Sequence, residues 1–294
     1  MIWHGALYTA SAAIASGATL SSSNLTVVTG GGLNNLLALL YKIIGNNAGA
    51  HNSIYRGRYL GSTVTAEQWS AISAGTFDDL YIGDYWTIGG INWRIAAFDY
   101  WLNSGDTECT THHAVIVPDS NLKVPEGSTT HYMNTSNITT GAYVGSGFYS
   151  GTNADSSANS AKADCIAMAE GAFGAAHILS HREYFANATT SGYQSAGAWY
   201  DSTVDMMNEQ MVYGCRVFSN AVHGTNLPNA YTIDNGQLPL FSLAPEQICN
   251  RTYWWLRDVV YSVAFASVNG NGLCNYDNAS SWWIGVRPAF GIKA

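Results

Sequence analysis

The clearest apolar periodicity lies near the start of the chain. In LNNLLALLYKII (33–44), Leu33, Leu36, Leu37, Leu40, Ile43 and Ile44 recur at helical spacing. Thr29-Gly30-Gly31-Gly32 breaks the chain before this stripe, and Gly45-Asn46-Asn47 ends it. So apolar a short helix needs a partner surface, either the neighbouring domain or other copies of the chain. Further on, Thr65 and Gln68 stand at capping-box spacing and predict a short helix closed by Gly75. YIGDYWTIGGINWRIAAFDYW (81–101) then reads as a hairpin folded at Gly89-Gly90. HAVIVP (113–118) reads as a buried strand ended by proline, and 119–160 as loop. Residues 159–171 and 198–210 look helical, with Ser180 and Glu183 capping a short helix between them. Ser242–Glu246 opens another helix, with Pro245 at an early position. The tail, 254–292, is strand-like, with a hairpin turn at Asn269-Gly270-Asn271-Gly272.

These short, mixed elements predict an α+β chain of irregular loops, short helices and small antiparallel sheets. Composition narrows its role. Charged residues make up 11% and aromatics 13%, with 18 Tyr, 10 Trp and 30 Gly. A net charge of −8 excludes the basic footprint of a nucleic-acid binder. The 47% hydrophobic content excludes a disordered acidic chain. Tyr, Ser, Gly and Asn are also the residues that dominate binding faces. The N-terminus lacks the basic start of a signal peptide, and no apolar run reaches the ~18 residues of a membrane span. Synthesis in the cytoplasm without membrane insertion is therefore expected. The five cysteines, 109, 165, 215, 249 and 274, are odd in number, scattered and without a CxxC pair, so no disulfide framework is expected.

Catalytic and metal-binding patterns are thin. There is no GxSxG, and the glycines of 269–272 precede a strand rather than a helix. Asp78-Asp79 is the adjacent acidic pair, read as a solvated loop. His177 and His181 have metal-ligand spacing, but Ser180 interrupts the helix that spacing requires. His112 and His113 would point to opposite faces of a strand. Asp99, Asp106 and Asp119 leave a structural calcium open, although no calcium-loop motif is present. No catalytic residue, metal ligand or cofactor is assigned.

The block WWLR…NGNG…GVRPAF (254–290) resembles the C-terminal segment of C-type-lectin-like proteins of the formylglycine-generating-enzyme branch. It is closest to phage and prophage variable proteins diversified by retroelements. GTFDDLYIGDYWTIGGINWRIAAFDYW, THHAVIVPD and HILSHREYF extend the resemblance to phage structural proteins carrying such a domain. It covers roughly 54–294 and leaves out residues 1–50. The resemblance implies an N-terminal segment, 1–53, for anchoring or oligomerisation, with a homotrimer fitting the family. It also implies a ligand-binding domain, 54–294, with a variable region at about 254–288. Diversification in that family replaces adenines, typically in Asn codons, and cannot reach Lys, Glu, Gln, Met or Trp. Asp258–Ser281 contains none of those five.

On this resemblance the chain is a receptor-binding or adhesion protein of a phage tail or fibre tip. It would meet a host-cell surface protein or glycan, and other virion proteins through its N-terminal segment. A non-adhesive capsid or tail protein is the alternative. The family's reactive-cysteine enzymes fit less well. Cys274 lies inside the changeable stretch, WWLRDV replaces the enzymes' Arg-Gly-Gly-Ser-Trp-type segment, and only Cys249 lies nearby. Trp254, Trp255, Arg257 and Arg287 are expected in the scaffold, the arginines holding buried carboxylates or carbonyls. The display face is expected to use Asp258, Val260, Tyr261, Ala264, Ala266, Leu273, Asn275, Tyr276, Asp277 and Ile284. Trp282 and Trp283 are either an anchor beside that face or core.

Overall fold

The computed structural model describes residues 2–3, 6–10, 25–27, 45–123, 131–134, 136, 161–185, 189–190, 193–194, 198–218 and 236–294. The Leu-rich helix expected at 33–44 lies outside them. The chain divides into two compact units, Met1–Asn46 and Asn47–Ala294.

In the first unit, β1 (Ile2–Trp3), β2 (Ala6–Ala10) and β3 (Leu25–Val27) form an antiparallel sheet in the order β1-β2-β3. The second unit opens before residue 54 because α1 (Ala48–His51) belongs to its core. His51 is buried, with Nδ1 2.6 Å from Leu80 O and its ring stacked on Tyr81. Asn52 then exchanges two hydrogen bonds with the Phe98 backbone.

The rest of this unit follows the expected local chemistry closely at first. β4 (Tyr59–Gly61) leads into α2 (Ala66–Ser73), whose Thr65–Gln68 capping box is fully formed. β5 (Tyr85–Ile88) and β6 (Ile91–Phe98) make the expected hairpin. Gly89 and Gly90 there take φ of 62° and 77°, a conformation that favours glycine. β7 (Ala114–Pro118) is buried throughout, and the helix expected at 159–171 is present as α3 (Ala161–Phe173).

The described residues between 181 and 206 depart from the helices expected after Ser180 and at 198–210. They form β8 (His181–Phe185), β9 (Thr189–Thr190), β10 (Tyr193–Gln194), β11 (Ala198–Ser202) and β12 (Val204–Met206). β8 pairs antiparallel with β11 over five residues, and β9 with β10. Glu183 does not cap a helix; its carboxylate is buried against Trp101 and Arg257. Tertiary pairing of these aromatic segments overrides their weak helical pattern. Helix resumes at α4 (Glu209–Tyr213) and α5 (Pro239–Leu243). Pro245 starts a separate 3-10 turn, 245–248, so the helix expected to open at Ser242 instead ends at Leu243.

The tail contributes β13 (Trp254–Tyr261), β14 (Ala264–Val268), β15 (Cys274–Asn278) and β16 (Pro288–Ile292). β16 inserts between β12 and β7 in a six-stranded sheet ordered β12-β16-β7-β6-β5-β4, antiparallel except for β4–β5. Phe173 of α3 packs edge-on against Trp86, Trp93 and Phe290 of that sheet. β13-β14-β15 form a second, three-stranded antiparallel sheet. The architecture is α+β, and among the described residues no helix is long and apolar enough to cross a membrane.

Candidate ligand-binding face

Two buried arginines flank the tail sheet in the chain. Arg257 on β13 is buried and donates to Glu183 Oε2 at 2.9 Å and to Met206 O at 3.2 Å. Burial alone would push the Glu183 carboxyl up. Arg257, with His181, outweighs burial and holds it at about 2. Arg287 precedes β16 and is fully buried, donating to Pro118 O and Gln247 O at 2.8 Å each. Its guanidinium also lies over the Trp254 ring, 5.2 Å from the centroid. Trp254 and Trp255 are fully buried, and Trp255 Nε1 donates to His131 O. All four of these residues are buried, one arginine on a carboxylate and the other on carbonyls.

Above this scaffold the chain sorts the display candidates in two. Tyr261 is 49% exposed, Leu273 63% and Tyr276 40%, while Asn275 and Asp277 are half-buried. Val260, Ala264, Ala266 and Ile284 are buried and so cannot present side chains to a ligand. Two features explain that correction. Register shifts between Trp255 and Val259, and again between Val259 and Tyr261, break strand alternation. Val259 and Val260 are therefore both buried, and Tyr261 turns outward. β14, the middle strand, is covered on both sides and buried at all five positions, which its small Ala264, Ala266 and Ser267 permit. Asp277 leans back to accept from Ser267 Oγ at 3.0 Å.

The exposed side chains touch one another. Tyr276 packs edge-on against Tyr261, centroids 5.3 Å apart, and against Phe218, 5.2 Å apart. Phe218 comes from the turn after α4, not from the tail, and nothing in its local sequence marks it as part of this row. Trp282 and Trp283, 67% and 49% exposed, pack edge-on against each other on the loop after β15 and are not core. That loop is pinned through its backbone. Ala279 N–H donates to Val263 O, and Ala279 O accepts from Asn134. Ile284 O accepts from His131 N–H, and Gly285 bridges Tyr253 and Trp255. The hairpin turn at 269–272 forms as expected, with Gly272 at φ 84°.

Asp258 faces inward from β13 and accepts from the Glu209 backbone N–H. Burial, reinforced by Glu209 and opposed by Arg257 and Arg216, pushes its carboxyl up to about 7. A folded pKa above the unfolded ~3.9 means its contribution is fully present below about pH 4 and is lost as pH rises through 7. Asp258→Asn, which keeps an acceptor oxygen, should therefore stabilise the protein at pH 8 relative to wild type. That advantage should shrink by about 3 kcal/mol on moving to pH 5. Urea unfolding at the two pH values checks this, and a gap that widens on acidification would refute it.

The metal and cysteine candidates resolve into structural roles. Asp99 pairs with His112 Nδ1 at 2.7 Å, Asp106 with Arg182 and Asp119 with Arg94, so the three aspartates do not converge on an ion. His177 stacks on Trp69, and His181 on Trp101, in separate places. His113 is buried and holds its Nε2 3.1 Å from the Trp101 amide. Among the described residues no group of three metal-binding side chains occurs. Cys249 donates to Gly270 O. Cys274 donates to Glu209 Oε1 at 3.3 Å, and burial pushes its thiol up, opposite to the lowered value a nucleophile needs.

No family model, no curated protein and no solved structure gives a significant match to this chain.

Proposed function

We propose that the chain is a phage receptor-binding protein whose C-type-lectin-like domain presents a changeable ligand-binding face from its C-terminal region. The N-terminal segment, on this reading, joins copies into a homo-oligomer, a trimer in the family it resembles, and attaches them to a tail or fibre tip. The target is a host-cell surface protein or glycan.

One observation carries the reading: exposed aromatics stand on a tail whose backbone is locked to a buried scaffold. Trp282 and Trp283 occupy a loop held at 279 and at 284–285, and Tyr261 and Tyr276 project from a sheet anchored through Arg257 and Trp255. Surface aromatics of this kind supply rigid contact area, and a fixed backbone lowers the ordering cost of binding. Scattered exposed aromatics need no explanation, but a contacting row and a pinned Trp pair on the same tail do.

Sequences of sibling copies test the proposal. Substitutions should concentrate at Tyr261, Leu273, Asn275, Tyr276 and Asp277, and spare Val260, Ala264, Ala266 and Ile284. A reverse-transcriptase gene and a near-copy of the codons for 254–288 should lie nearby. Substitutions spread evenly along the chain, or as frequent at Val260 as at Tyr276, would sink the reading.

A further inference from the structure

The tail does not complete its own face. Phe218 lies 40 residues before Asp258, yet its ring closes the row Phe218–Tyr276–Tyr261. Phe218 is 37% exposed and its neighbour Val217 49%. Two exposed apolar side chains on the segment that follows α4 need a reason to stay in register with β15. That reason is Glu209, a fully buried residue at the start of α4. Its Oε2 accepts from the Val217 N–H at 3.0 Å, and its Oε1 from the Phe218 N–H at 2.9 Å. The same Oε1 accepts from the Cys274 thiol on β15, while the Glu209 N–H donates to Asp258 on β13. One side chain thus ties the turn to one outer strand of the tail sheet, and its own amide ties it to the other. Tyr213, at the far end of α4, adds a hydrogen bond from its hydroxyl to Gly272 O in the β14–β15 turn. Charge-assisted hydrogen bonds of this kind are the strong ones, and a buried carboxylate without them would be costly.

We propose that Glu209 is the positioning residue of the binding face, and that Phe218 is a ligand-contacting residue supplied from outside the tail. The inference rests on the reading of the tail as a binding face. It divides that face into a changeable part on β13 and β15 and a constant part on the α4 turn. Tyr276, placed between Phe218 and Tyr261, couples the two parts. The ligand chemistry such a row selects is apolar and aromatic, without an anionic demand: residues 258–284 carry two aspartates and no Lys or Arg. An exposed apolar segment of a protein is the matching partner.

The test uses the full-length chain and peptides selected on it from a random display library. Tyr276→Ala and Phe218→Ala should each weaken such a peptide about tenfold. Glu209→Ala should weaken it comparably and expose the Val217 and Phe218 amides to faster hydrogen exchange. Glu209→Gln, which keeps one acceptor oxygen, should recover part of both effects, a graded rescue that general loss of folding would not give. Unchanged affinity in Phe218→Ala and Glu209→Ala, with Tyr276→Ala still impaired, overturns this inference and leaves the tail face standing. A library that returns no Tyr276-dependent peptide overturns the reading of the face itself.

Discussion

Replacing Arg257 by Ala is expected to cost about 3–5 kcal/mol of stability, among the larger losses one substitution can cause. The guanidinium is the main counter-charge to Glu183, whose carboxylate also accepts from Trp101 Nε1. Without it, a buried carboxylate faces Trp101 and His181 with no cation of fixed charge. The Arg257 side chain also covers the Phe185 ring, at 4.9 Å, so packing is lost along with charge. The pH dependence distinguishes the two contributions. In the wild type the depressed Glu183 pKa gives stability that is present above about pH 4.3 and fades as pH falls toward 2. In Arg257→Ala, burial prevails and raises that pKa, so the variant should gain stability as pH falls from 8 to 5. Adding Glu183→Gln should recover much of the loss, because no unpaired charge then remains. Denaturant unfolding of the two single variants and the double variant measures this. A single-variant loss below about 1 kcal/mol would mean that the pair is not the anchor described here.

Trp255→Ala should be of similar size, about 3–5 kcal/mol, from the emptied volume of a fully buried indole. It also leaves His131 O without its indole donor. The effect should reach the surface. Segment 131–134 meets the Trp282–Trp283 loop through the backbone pairs His131–Ile284 and Asn134–Ala279. Loosening that segment should quicken hydrogen exchange at Ala279 to Gly285 beyond the change expected from global stability alone. Against a domain stability of roughly 5–15 kcal/mol, the variant should remain folded at low temperature, so exchange can be read. Uniform exchange across the tail would separate the loop from the Trp255 anchor.

Local signals in the chain were legible where one or two residues decide a conformation. The Thr65–Gln68 box, the Gly89-Gly90 turn and the Asn269–Gly272 turn all form as their side chains and φ requirements dictate. The buried roles of Trp254, Trp255, Arg257 and Arg287 were legible too, through the resemblance in the tail. What stayed hidden depends on distant partners. β8 and β11 exist as strands because they pair with each other, and neither segment alone says so. Glu183 finds Arg257 across 74 positions, and Glu209 meets Cys274 across 65. The resemblance in the tail placed Val260, Ala264 and Ala266 on the display face. The bulges of β13 and the double-sided cover of β14 are properties of packing, which a period of two does not contain.

Those bulges have a consequence for descent. Val260 and Tyr261 are adjacent, yet one carries the fold and the other meets the outside. Heritable change at Tyr261, Leu273 or Tyr276 leaves the interior untouched and costs little, within about 0.5 kcal/mol for an ordinary exposed site. A lineage can therefore explore new contacts at these positions without drawing down the stability reserve that keeps it foldable. One residue away the same freedom vanishes. On the proposed reading, room for change and a fixed interior would share this one strand, separated by the width of a peptide unit.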